Sequence, residues 1–199
     1  GMHGTYEANM TMHETDLIFA LGARFDDRVT NSPDKFSPKA TIVHLDVDSA
    51  SVDKIIRADI ALVGDAGWAL NALWDAYQAR DAERDPSAKE KQQQDMAKWW
   101  GQIDQWRSAH GLNHNMQPAA GQSILPQLAV QTLYRVTKGD AFVTSDVGQH
   151  QMFAAQYYHF DEPRRWINSG GLGTMGFGLP SAMGVQMGNP DSVVACVTG

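Results

Sequence analysis

The run DLIFALGA, residues 16–23, decides the fold class. It is apolar without alternation, the pattern of a strand buried on both faces in a parallel sheet. Working outward, residues 5–14 suit a short helix, and the strand pattern returns downstream. TIVHLDV at 41–47 is a second strand, residues 50–57 a helix with Ser49 or Ser51 near its cap, 60–63 a third strand, and 66–79 a helix. Strands alternating with helices imply a parallel sheet with right-handed crossovers.

Residues 80–94, RDAERDPSAKEKQQQ, have charges of both signs and no apolar face, which marks a domain boundary. The helix that follows carries Met96, Trp99, Trp100, Ile103 and Trp106 at three- and four-residue spacing, a packing stripe. After a loop with Gly111, Pro118 and Gly121 comes a second α/β unit. It has a helix at 123–137 with Pro126 in its first turn, a strand AFVTS at 141–145, and a helix at 151–158. A short strand at 165–168, a small-residue helix at 176–187 and a last strand at 192–198 complete it. The expected architecture is α/β: two partial open parallel-sheet, Rossmann-like domains, 1–79 and 121–199, joined by a charged linker and amphipathic helix at 80–120.

Of the 199 residues 43% are apolar, enough for a packed core, and the net charge is -7. No Lys/Arg cluster offers phosphates a positive field, which argues against nucleic-acid or anionic-membrane partners. No segment approaches the apolar length of a membrane span, and the first ten residues lack the pattern of a secretory leader. The single cysteine, Cys196, falls in an apolar run and is expected to be a buried small hydrophobe. Neither end, GMHG at 1–4 nor VTG at 197–199, looks like a natural terminus, so a piece of a larger enzyme is expected.

In open parallel sheets ligands sit beyond the carboxyl ends of strands, so the loops there carry the functional argument. The first, GARFDDRVT at 22–30, combines a close-approach glycine, Gly22, with Arg24 and Arg28, which can fork onto phosphate or carboxylate or pair with Asp26 and Asp27. Asp46 ends the second strand and Gly64-Asp65 the third; such an Asp can accept from ribose hydroxyls or cap a helix. Three successive strand ends with this chemistry suggest one dinucleotide laid across one sheet.

In the second unit the strand runs into DVGQHQM, 146–152, where His150 can serve as base, phosphate donor or cap. SGGLGTMGFG at 169–178 follows, with five glycines among residues 170–178. That density lets backbone approach a flat ring or a pyrophosphate. The interleaved Leu172, Met175, Phe177 and Leu179 argue against a flexible linker.

These residues resemble the catalytic large subunits of the acetohydroxyacid synthase (acetolactate synthase) family, thiamine-diphosphate enzymes that also bind FAD. GMHG (1–4), GARFDDRVT (22–30), DVGQHQM (146–152) and SGGLGTMGFGLP (169–180) carry the resemblance, which spans essentially the whole chain apart from the linker. It implies that 1–79 is the back half of a middle FAD domain and 121–199 the front half of a diphosphate-binding, thiamine-diphosphate-fold domain. Met2, His3 and Gly4 would line the flavin site; Gly22, Ala23, Arg24 and Arg28 would hold FAD phosphate and ribitol; Asp46, Val47, Gly64 and Asp65 its adenosine half. Gln151, Met152, Gly170 and Gly171 would approach the isoalloxazine. For thiamine diphosphate, Val147, Gly148, Gln149 and His150 would meet the diphosphate, and Gly173 and Met175 the aminopyrimidine, with Met175 keeping the cofactor bent.

The resemblance further implies a transferase of branched-chain amino-acid biosynthesis acting on pyruvate and 2-ketobutyrate, with Mg²⁺. It assigns no catalytic residue to this chain, since the activating glutamate belongs to a preceding domain, and it puts the metal ligands just after Gly199. A homodimer or larger oligomer, a regulatory small subunit, and a bacterial cytoplasm or organelle matrix complete the expectation. The alternatives are another carboligase or oxidase, such as glyoxylate carboligase or pyruvate oxidase, against which GARFDDRVT argues, and a non-catalytic FAD-binding module.

Overall fold

The computed structural model describes residues 1–114, 116–118 and 121–199, which divide into two units, Gly1–Gly111 and Leu112–Gly199. In the first, Thr5 opens helix α1 (Tyr6–Glu14) by accepting the Ala8 N–H on its hydroxyl. Strands β1 (Leu17–Leu21), β2 (Thr41–Asp46) and β3 (Ile60–Val63) form a parallel sheet in sequence order, with Ala20, His44 and Ala61 side by side. Ala20 and Ile42 share one face and pack with Phe25 and Ile56 into the unit's core. Side chains alternate along a strand, so Leu17, Phe19 and Leu21 take the other face, at 54%, 40% and 42% exposure. The continuous apolar run is therefore buried on one face only within this unit.

The helix expected at 50–57 does not form, and the segment is a series of turns. Local side-chain acceptors displace it: Asp48 Oδ1 takes the Ala50 N–H and Asp53 Oδ1 the Ala58 N–H, at 2.9 and 2.8 Å. Asp and Asn compete with helical hydrogen bonds in this way, and the turns still deliver Ile56 to the core. A one-turn helix α2 (Asp27–Thr30) follows the first strand-end loop.

Helices α3 (Ala66–Ala82) and α4 (Pro86–His110) occupy most of the charged stretch expected as linker. Asp85 caps α4 by accepting the Ser87 N–H, with Pro86 in the first turn, where its missing N–H costs nothing. The tryptophan stripe divides. Ile103 is buried and Trp99 meets Trp106 edge-on, whereas Met96 and Trp100 face solvent. α4 packs along α1, where Tyr6 and His110 rings lie 4.5 Å apart and Arg107 reaches Glu7 at 3.7 Å.

The second unit runs α5 (Pro126–Thr137), β4 (Phe142–Ser145), α6 (Gln149–Tyr157), β5 (Trp166–Asn168), α7 (Gly178–Gly188) and β6 (Val194–Val197). Its parallel sheet has the order β5-β4-β6. Val130, Ala141, Val143, Tyr157 and Tyr158 are its core. A side chain such as Val143, fully enclosed, contributes about 1.5–3 kcal/mol. Tyr158 is anchored at its polar end, where its hydroxyl accepts the Ala141 N–H and pairs with Thr137 Oγ1 at 2.9 Å. Cys196 on β6 is partly exposed rather than buried, because β6 is an edge strand here.

Candidate functional site

Because β4 is flanked by β5 on one side and β6 on the other, its carboxyl end is a switch point, where a crevice opens in sheets of this kind. The chain leaves β4 through Asp146 and Val147 into Gly148, the N-cap of α6, and no side chain caps that helix. Its first N–H groups and the positive end of its dipole are thus available to an anion. A Cβ on Gly148 would stand 2.8 Å from the His150 ring, so glycine lets the imidazole fold over this turn. His150 Nε2 is buried and has no hydrogen-bond partner among the described residues. A donor in that state beside a helix N-terminus suits an anionic oxygen.

The glycine-rich loop is latched to this strand end. The Asp146 carboxylate accepts the Val147 N–H at 2.7 Å and, thirty positions on, the Gly176 N–H at 2.8 and 3.1 Å. These two donors, Val147 first, hold the Asp146 carboxyl below the ordinary range. A second tie lies beneath, where buried Thr144 donates its hydroxyl to the Gly178 carbonyl at 3.1 Å. A Cβ at Gly178 would come within 2.6 Å of the Asp146 nitrogen, so only glycine permits this approach. Gly176, at φ 87, turns through the left-handed region. Ser169 folds the loop on itself, accepting the Gly173 N–H on its carbonyl and the Thr174 N–H on its hydroxyl.

The latch sets Gly176, and Met175 before it at 80% exposure, against the turn that leads through Val147 and Gly148 to Gln149 and His150, with Gly173 three positions earlier on the same loop. Gln151 is buried and donates to Asn168 Oδ1 at 3.3 Å; a Cβ on Gly170 would meet that same oxygen at 2.9 Å. Met152 is half-buried on α6, and Gly171 is exposed beyond Gly170. Sequence reasoning did not single out Asp146, Thr144 or Ser169 as site-forming residues. An Asp directly between a strand and a helix-capping glycine was the available signal.

In the first unit the residues expected at a dinucleotide cluster around the ends of β1, β2 and β3. The Met2 N–H donates to the Arg28 carbonyl at 2.8 Å, so residues 1–4 run against α2. His3 Nε2 is buried and unpartnered among the described residues, and burial first, then Arg28, lowers its pKa. Gly22 sits at φ 59 with open space at its Cβ position, followed by Ala23. Arg24 pairs with Asp26, and Arg28 lies 3.7 Å from Asp27. Asp46 accepts the Asp48 N–H on its carboxylate and the Gly64 N–H on its carbonyl, which ties the ends of β2 and β3. Val47 is 76% exposed, and Asp65 caps α3 through the Trp68 N–H at 2.9 Å.

Two family models match the chain. Residues 1–73 match the family described as thiamine pyrophosphate enzyme, central domain, and residues 146–199 its C-terminal TPP binding domain. The chain is 54% identical over 205 residues to the acetolactate synthase isozyme 3 large subunit of Escherichia coli (strain K12), covering all of the chain and 33% of that relative. The chain is homologous to acetolactate synthase large subunits. Identity to the large subunit of Haemophilus influenzae is 47%, and to the chloroplastic acetolactate synthase 1 of Nicotiana tabacum 41%, each over 199 residues. All of the chain aligns in both cases, with 33% and 28% of those relatives covered. It thus spans about a third of the length of the acetolactate synthases it matches. The C-terminal family match begins at Asp146, the residue that latches the glycine loop.

Proposed function

We propose that the chain supplies cofactor-holding segments of an acetolactate synthase. That enzyme joins two pyruvates, or pyruvate and 2-ketobutyrate, with loss of CO2 to 2-acetolactate or 2-aceto-2-hydroxybutyrate. The observation that carries this reading is the Asp146–Gly176 latch, which closes a glycine-walled cradle at the switch point of the second sheet. Backbone N–H groups of the Val147–Gly148 turn, with Gln149 and His150, hold a diphosphate there. Gly173 leaves room for the flat aminopyrimidine, and exposed Met175 offers it an apolar support. When bound, thiamine diphosphate supplies the electron sink for decarboxylating a 2-keto acid.

FAD belongs to the proposal for the first unit. His3, Arg24 and Arg28 are its polar contacts, Gly22 gives close approach, and Asp46 and Asp65 face the adenosine half. Mg²⁺ belongs to the whole enzyme; no group of three His, Cys, Asp or Glu that could hold a metal occurs among the described residues. A homodimer or larger assembly, a regulatory small subunit, and a bacterial cytoplasm or organelle matrix complete it. No helix of the described residues is long and apolar enough to cross a membrane.

The test is titration of the 199-residue chain with thiamine diphosphate plus Mg²⁺ and, separately, with FAD. Saturable binding of both is expected, with no acetolactate formed from pyruvate, because no catalytic residue is assigned to this chain. A chain that binds neither cofactor contradicts the reading.

A further inference from the structure

The second unit also holds a cavity of about 220 Å³ that the cofactor cradle does not use. Aromatic rings wall it. His114 lies 5.5 Å from both Tyr157 and His159, and His159 meets Tyr134 edge-on at 5.2 Å. Gln131 Nε2 sits 3.0 Å from His114 Nδ1 and steadies that ring. No Asp or Glu is among the described residues lining the cavity.

Two groups there lack the partners their chemistry calls for. Arg135 is held by a hydrogen bond from Nη2 to Thr132 Oγ1 at 2.9 Å, yet no described carboxylate pairs with it. Tyr157 is only 6% exposed, and no described residue hydrogen-bonds its hydroxyl. Simple aromatic packing would explain the rings, but not an open volume bordered by a guanidinium with no carboxylate and a tyrosine hydroxyl with no protein partner among the described residues. Guanidinium forks match carboxylates, and they stack on planar groups. A phosphate has no flat face to lie against these rings, whereas an aromatic carboxylate does.

We infer that this cavity binds a small planar organic carboxylate, its head taken by Arg135 and the Tyr157 hydroxyl and its flat body laid against the aromatic wall that His114, Tyr134 and His159 form. Benzoate is the probe, benzamide its neutral counterpart and inorganic phosphate the competing anion, each titrated into the whole chain while the His114 and His159 ring-proton resonances are followed. Benzoate is expected to shift both rings saturably, with Arg135→Gln weakening it about tenfold and Tyr157→Phe about threefold. Benzamide and phosphate should leave the rings unmoved, and thiamine diphosphate binding should be the same in Arg135→Gln as in the parent. No benzoate response, equal responses to benzoate and benzamide, a response to phosphate, or an Arg135→Gln affinity equal to the parent's would each overturn the assignment. If Tyr157→Phe unfolds the unit, surface-exposed Arg135→Gln decides alone.

Discussion

The two strand-end clusters use similar residues in opposite ways. In the first unit polar groups find partners close in sequence: Arg24 with Asp26, Arg28 with Asp27, Asp46 with Asp48, and Asp65 with Trp68. Gly22 there has open space around it. In the second unit Asp146 reaches Gly176 and Thr144 reaches Gly178, over thirty and thirty-four positions, and Gly178 touches Asp146 backbone. A cluster of local pairs should tolerate single substitutions, because each loss stays local. A latch built from long-range contacts should fail as a unit.

The largest effect is expected at Gly178→Ala, whose new methyl meets Asp146 backbone at 2.6 Å. Such overpacking costs about 1–3 kcal/mol or more, seen as a lower melting temperature of the second unit, with thiamine diphosphate binding lost. Gly22→Ala, at φ 59 in open space, carries only the left-handed strain of about 1–2 kcal/mol and should leave thiamine diphosphate binding intact. If Gly22→Ala proves the more damaging to that binding, the comparison breaks.

Asp65→Ala removes the cap of α3, for about 0.5–2 kcal/mol by thermal melting, without effect on the second unit's Gly176 amide. Asp146→Asn has the opposite profile. It should expose the Gly176 amide to hydrogen exchange and weaken thiamine diphosphate binding about tenfold. Acid should mimic it. The Asp146 carboxyl is depressed in the folded state, so its contribution is complete above the ordinary Asp value of about 3.9 and is lost as pH falls through the folded value. Gly176 exchange, corrected for the intrinsic pH dependence, should therefore rise only below that ordinary range. The smallest stability effect belongs to Arg24→Gln: an exposed pair such as Arg24–Asp26 contributes about 0.2–1 kcal/mol, although FAD affinity should drop.

What was legible in the sequence follows the same contrast. Strands 41–47 and 60–63 and the loops after them stand out because burial and turn chemistry act over a few residues, and the structure places β2 and β3 there. The failed helix at 50–57 was also local in cause, but Asp53 takes a left-handed φ of 59 that spacing alone does not reveal. That one face of β1 is exposed, and that Trp100 faces out while Ile103 faces in, depends on what packs alongside. Glycine density marked residues 170–178; the partner that shapes them, Asp146, is set by a tertiary contact that no motif spacing encodes.

The most direct test of the latched cradle is an amide-resolved NMR titration of the chain with thiamine diphosphate and Mg²⁺. The account predicts saturable shifts concentrated at Val147, Gly148, Gln149 and His150 and at Gly173 through Gly176, and their disappearance in Gly178→Ala. Absence of saturable shifts in the parent chain, or shifts centred on the ends of β1 to β3 and unchanged in Gly178→Ala, would contradict it.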